Sequence, residues 1–239
     1  MKNQYLGDIN DYKKYGLIRA LVGNGADAFR VGVFWMLTDD DNRNDGQILD
    51  YLDQPKKWQS YDPPLFKKPH RIVHKGCQRT VSLVQSLDIL PGPVFAPQLL
   101  PDDARSREKI LLSAMDSFSE HEVVFFDSDN ELEIQSKPLG CKNSNKYLYF
   151  SEVTKAFSRG HSLLIYQHFP RINRDLFIAD RTRQLGKAAK TSTIFSFSTS
   201  YVCFFVVPQQ EHVAYFSERL EVVRDRCGEQ FVQWAYHVG

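Results

Sequence analysis

An α/β fold is predicted, a Rossmann-like, mostly parallel sheet with an antiparallel edge strand, in one domain over residues 1–239. Three observations predict it. The runs Val31-Gly32-Val33-Phe34-Trp35-Met36-Leu37, Val123-Val124-Phe125-Phe126 and Leu163-Leu164-Ile165 show no polar alternation, as strands covered on both faces do. Helix-period segments separate them, which is the alternation that builds parallel sheets. Near the end, two β-rich runs at 193–197 and 201–207 are joined only by Ser198-Thr199-Ser200, so the finish is antiparallel.

Composition bounds the rest. Apolar residues make up 42% and charged residues 25% of 239, which suits one domain with a real core. Thirty basic residues face 29 acidic ones, so a nucleic-acid partner would need a local basic surface. Cys77, Cys141, Cys203 and Cys227 form no CxxC pair, which argues against zinc and for the reduced thiols of a cytoplasmic protein. No signal-peptide pattern and no apolar run near 18 residues occurs, so neither secretion nor membrane spanning is expected. GxGxxG and GxxxxGK[ST] are both missing, which removes the usual dinucleotide and P-loop devices.

In chain order, residues 8–22 read as a helix capped by Asp8 or Asp11 and ended by Gly23-Asn24-Gly25. Its polar side carries Asp8, Asp11 and Lys14, three or four apart and therefore on one face. That face is either solvated or laid over a site. The strand 31–37 runs into Thr38-Asp39-Asp40-Asp41-Asn42-Arg43-Asn44-Asp45-Gly46. So many like charges require solvent, an arginine, a metal or a donor-rich ligand. A short helix follows at 47–52. Residues 55–69 read as irregular and basic-aromatic, with Lys56, Lys57, Trp58, Tyr61, Phe66, Lys67 and Lys68, continuing to His70 and Arg71. Interleaved cations and rings are what a nucleic-acid strand uses, although an ordinary packed loop has the same composition. A strand at 71–74, a helix at 80–87, a turn at Pro91-Gly92-Pro93 and a strand at 94–100 come next.

A helix at 105–118 leads into the strand 123–126, which stops at Asp127-Ser128-Asp129-Asn130. Open α/β sheets bind ligands just beyond the carboxyl ends of their strands, so this tetrad is a candidate site; a simple turn is the alternative. Residues 131–145 read as a long loop with Lys137 and Lys142, followed by Lys146. Helices are expected at 151–159, 175–190 and 211–226, and a last strand at 231–238. His168 trails the strand 162–166 much as Asp127 trails its own, which makes it a candidate too.

The opening Gly7-Asp8-Ile9-Asn10-Asp11-Tyr12-Lys13-Lys14-Tyr15 resembles the Gly-Asn-x-x-Asp-x-x-Lys-His helix of large-subunit ribosomal RNA adenine-N6 methyltransferases of the RlmJ type. Gly7, Asp11 and Lys14 match, while Asp8 and Tyr15 replace Asn and His. Phe126-Asp127-Ser128-Asp129-Asn130 falls where that family has Asp-Pro-Pro-Tyr, and only Asp127 matches. The resemblance implies a class I methyltransferase-like domain, S-adenosylmethionine as cofactor near Lys14, and Asp127 holding a target amine. Where the family carries a glycine-rich cofactor loop, this chain has Thr38-Asp39-Asp40-Asp41. The chain also resembles a bacterial group with Asn-Gln-Tyr-x-Gly-Asp at the start and Phe-x-Asp-x-Asp-Asn in the middle, a likeness that implies no activity.

Three functions follow as expectations. The first is a nucleic-acid-directed, methyltransferase-like protein, with Asp127, Asp129, Asn130 and His168 at the reacting base. In that reading Asp11, Lys14, Asp39, Asp41, Asn44 and Asp45 lie around S-adenosylmethionine, and residues 56–71 track the strand. The second is a nuclease or phosphoesterase in which the clustered aspartates hold Mg²⁺ or Mn²⁺. The third is a degenerate, non-catalytic binding module. The first two require both acidic tails, 39–45 and 127–130, to meet in one cleft beneath the opening helix.

Overall fold

A computed structural model describes residues 1–40, 46–74, 79–87, 89–90, 93–228, 231 and 233–238, with only the backbone course for 70–74 and 233–238. The strands are β1 (Val31–Phe34), β2 (Val94–Ala96), β3 (Val123–Phe126), β4 (Glu131–Leu132), β5 (Tyr147–Leu148), β6 (Ser162–His168), β7 (Thr193–Ser198), β8 (Val202–Val207) and β9 (Gln233–Val238). The main sheet has seven strands in the order β2-β1-β3-β6-β8-β7-β9. β2, β1, β3 and β6 are parallel neighbours. β8 runs antiparallel to both β6 and β7, and β9 antiparallel to β7. The fold is thus Rossmann-like, mostly parallel, with antiparallel pairing confined to one side of the sheet.

The eight α-helices among the described residues are α1 (Ile9–Val22), α2 (Pro55–Trp58), α3 (Pro63–His74), α4 (Val81–Ser86), α5 (Ala104–Ser117), α6 (Phe150–Phe157), α7 (Arg174–Ala189) and α8 (Val213–Cys227). Side chains alternate across a strand, and the alternation sorts two cores. Val31, Val33, Val123, Phe125, Leu164 and Phe204 join Leu17, Leu21 and Phe216 of α1 and α8. Phe34, Val124, Phe126, Leu163, Ile165 and Phe205 join Leu111, Met115, Val153 and Leu185 of α5, α6 and α7. Helices on both faces explain why these strands are apolar throughout rather than every second residue. Among the described residues no helix is long and apolar enough to cross a membrane.

Three stretches differ from the sequence-based expectation. Residues 55–69 are not irregular and 71–74 are not a strand, because α2 and α3 span most of this region. Pro55 and the Pro63-Pro64 pair occupy first-turn positions, where a missing N–H is harmless, and Asp62 Oδ1 accepts from Leu65 N at 3.0 Å. Trp58, Tyr61 and Phe66 turn inward: Tyr12 of α1 meets the rings of Tyr61 at 5.2 Å and Phe66 at 5.7 Å. Gly16 makes room for this, since a Cβ there would sit 2.3 Å from the Tyr61 ring.

The second stretch is the long loop. β4 pairs in parallel with β5, and buried Arg107 holds the segment. Its guanidinium donates to Glu152 Oε1 at 2.6 Å, Ser144 O at 3.1 Å and Tyr147 O at 2.5 Å. The third is 94–100, where β2 stops at Ala96 and pairing resumes only as a bridge between Leu37 and Leu99. The turn expected at Pro91-Gly92 lies outside the described residues.

Candidate functional site

α1 starts where Asp8 accepts from Asn10 N at 2.8 Å, and its N-terminal half lies over the carboxyl end of β3. Lys14, one turn beyond Asp11, reaches two carboxylates: Asp11 Oδ1 at 2.6 Å and Asp127 Oδ2 at 2.7 Å. All three residues are buried. Asp129 lies on the next turn of chain, with Oδ2 3.5 Å from both Lys2 and Lys146. A cleft of about 690 Å³ opens over these groups, lined also by Asp8, Asn130, Tyr166 and His168. That volume falls within the range of small-molecule sites.

The electrostatics are uneven. Two acids share one lysine at Asp11 and Asp127, whereas two lysines share one acid at Asp129. Burial pushes the Asp11 carboxyl up to about 6, with Asp127 adding to the rise and Lys14 opposing it. Burial pulls Lys14 down, but Asp11 and Asp127 more than offset this and leave it well above its ordinary value. His168 is the last residue of β6, not a residue past it, and its ring stands exposed at the mouth of the cleft. Desolvation by the surrounding protein lowers its pKa, against the pull of Asp129 and Asp127. Asp11 Oδ2 and Asp129 Oδ1 are buried acceptors with no hydrogen-bond partner among the described residues.

Of the residues singled out in the sequence, Asp11, Lys14, Asp127, Asp129, Asn130 and His168 line this one cleft. Asp39 does not: it is exposed, like Asp40, whose Oδ1 accepts from Asn3 N at 2.9 Å. Asp41, Asn44 and Asp45 lie outside the described residues, as do the side chains of His70 and Arg71. The reason for the position of Asp39 is physical. The chain beyond β1 stays buried through Trp35, Met36, Leu37 and Thr38, and residue 1 packs between the ends of β1 and β3. Thr38 N donates to Met1 O at 3.1 Å, while the Met1 amine donates to Asp127 O at 3.1 Å and Met36 O at 3.4 Å. The described part of the β1 tail, residues 35–38, is therefore buried packing against residue 1 and does not line the cleft.

Lys2, Tyr5 and Glu131 also line the cleft and escaped sequence reasoning. No spacing signal links Lys2 to Asp129, which lies over a hundred residues away. Lys146 showed only as a loop lysine, although Asn130 N donates to its carbonyl at 2.9 Å. Among the described residues no three His, Cys, Asp or Glu side chains gather so as to hold a metal ion. Asp11 and Asp127 are turned to Lys14 instead, and Asp129 to Lys2 and Lys146.

No protein-family model matches the chain, and no curated protein does. Among solved structures it is similar to the crystal structure of protein LPL1258 from Legionella pneumophila str. Philadelphia 1, a DUF519 protein. The similarity spans 98% of each chain at 10% identity, with a TM-score of 0.47.

Proposed function

We propose that this chain is a nucleic-acid-directed protein, methyltransferase-like by resemblance, that holds a nucleotide base in the cleft beyond β3 with the β3 tail and not with Asp39 of the β1 tail. One observation carries the reading: the cleft has a carboxylate surplus at Asp11 and Asp127 beside a lysine surplus at Asp129. A nucleotide has the complementary pattern, with amine N–H donors on the base and negative charge on the phosphate. Tyr166, half-buried in the lining, offers a ring edge or face to the base, and Lys146, partly exposed, is placed for phosphate. The resemblance of Gly7, Asp11, Lys14 and Asp127 to the adenine-N6 methyltransferases points the same way. S-adenosylmethionine is placed by this reading in the same cleft, where Asp11 and Lys14 of the resembling motif lie. The residues on hand are therefore assigned to holding the base, not to methyl transfer.

Calorimetric titration with adenosine and cytidine monophosphates tests this. Binding at or below roughly millimolar concentration, weakened about tenfold by Lys146→Ala, is expected. No binding of any mononucleotide at that concentration would remove the reading. A parallel titration with S-adenosylmethionine, alone and against bound nucleotide, reports whether the two compete.

A further inference from the structure

The three most exposed large apolar side chains among the described residues are Tyr201 (74%), Leu176 (72%) and Ile172 (59%). Tyr201 is tied to the segment that leads to the other two. Phe169 follows the cleft-lining His168, and its N–H donates to Tyr201 O at 3.1 Å, tying the end of β6 to the β7–β8 turn. Ile172 and Leu176 continue from Phe169 into the first turn of α7. Isolated exposed apolar residues are ordinary, but exposed apolar residues on segments joined to a cleft-lining strand end are candidates for a contact surface.

Cations are interleaved with them. Arg171 and Arg174 are exposed, against the single acid Asp175 in residues 171–176. The Arg174 guanidinium lies 5.5 Å from the centroid of the Phe169 ring, which pre-orders a flat, charged platform. A purely apolar shelf would fit a protein partner. Rings and arginines along a path that ends at a polar cleft fit a single strand, whose bases stack while its phosphates pair with the cations.

We propose that the rim formed by Phe169, Arg171, Arg174 and Tyr201 is a stacking platform for single-stranded nucleic acid, feeding one base into the cleft. It rests on the base-binding reading above. Tyr201 is exposed here, whereas Trp58, Tyr61 and Phe66 of residues 56–71 are buried.

The test uses fluorescence anisotropy with labelled oligo-dT and oligo-U of about twelve nucleotides, enough to cover a typical strand site. Calorimetry with mononucleotides runs beside it. Tyr201→Ala should weaken strand binding about tenfold and leave mononucleotide affinity unchanged, because the residue is outside the cleft. The double variant Arg171→Ala, Arg174→Ala should lower the salt dependence of strand binding by up to about 1.4 in log–log slope. If mononucleotides bind but strands bind no tighter, or Tyr201→Ala changes nothing, the platform is refuted and the base reading survives. If neither ligand binds, both fall. Self-association abolished by Leu176→Asp, without strand affinity, would assign the rim to a second copy of the chain and overturn the proposal. The preference between oligo-dT and oligo-U reports which kind of strand it is.

Discussion

β1 and β3 are parallel neighbours in register, aspartates follow each, at once after β3 and only beyond Thr38 after β1, and the two tails meet opposite fates. After β3, Asp127 and Asp129 are buried against Lys14, Lys2 and Lys146. After β1, Asp39 and Asp40 are exposed. The strands are alike, so the difference comes from what packs on them. α1 delivers Lys14 to the end of β3, while residues 35–38 and Met1 fill the end of β1 and carry its acids outward. A carboxylate stays buried only where a cation already waits, because desolvating it alone costs several kcal/mol.

Removing that cation should therefore break the comparison most strongly. Lys14→Met leaves Asp11 and Asp127 buried without the lysine they share, and the loss of stability should be about 3–5 kcal/mol. Urea unfolding of the purified protein measures it. Adding Asp127→Asn to that variant should restore part of the loss, since one of the stranded charges is then gone. A Lys14→Met protein as stable as the parent would mean that Asp127 has another neutralising partner.

The surplus acid makes a second, smaller prediction. The Asp11 carboxyl is raised from 3.8 to about 6 in the folded protein. Between those values the folded state holds a proton that the unfolded state has lost, so stability falls as pH rises from about 4 to about 6. The full difference is on the order of 3 kcal/mol at most, and less where the Lys14 contact holds the charge. Asp11→Asn removes this contribution, so it should flatten the slope and gain relative stability above pH 6. Superimposable pH profiles for the two proteins would show that Asp11 is ionised throughout and that the cleft carries no excess negative charge.

The contrast also marks what the sequence could and could not reveal. Local signals were readable: Asp8 as the cap of α1, the doubly apolar runs of β1, β3 and β6, and the polar tetrad after Phe126. So was the shared face of Asp11 and Lys14, since it depends only on helical period. Contacts set by distant chain were not. Lys14 meets Asp127 across 113 positions, and Arg107 holds Ser144 and Tyr147 across 37 and 40. The proline-rich stretch read as irregular because its helical turns are held by tertiary packing, with Tyr61 and Phe66 against Tyr12, which no local propensity records. The exposed position of Asp39 was not legible for the same reason, since the packing of residue 1 on the end of β1 leaves no trace in the spacing of the acids.

The remaining substitutions sharpen the comparison at its weak end. Lys146→Ala leaves Asp129 with Lys2, and its side chain is about a quarter exposed, so a loss of about 1 kcal/mol or less is expected. Asp39→Ala should change stability by less than ~0.5 kcal/mol, because an exposed side chain outside the cleft loses only solvent contacts. Asp40→Ala should cost slightly more, since its carboxylate accepts the Asn3 N–H at 2.9 Å and so steadies the segment that closes the end of β1. The ranking matters more than the values. If Asp39→Ala were to weaken mononucleotide binding as much as Lys146→Ala does, the tail of β1 would have to reach the cleft in the bound protein. The separation of the two acidic tails would then describe only the free form, and the β1 tail would belong to a site that assembles around its ligand.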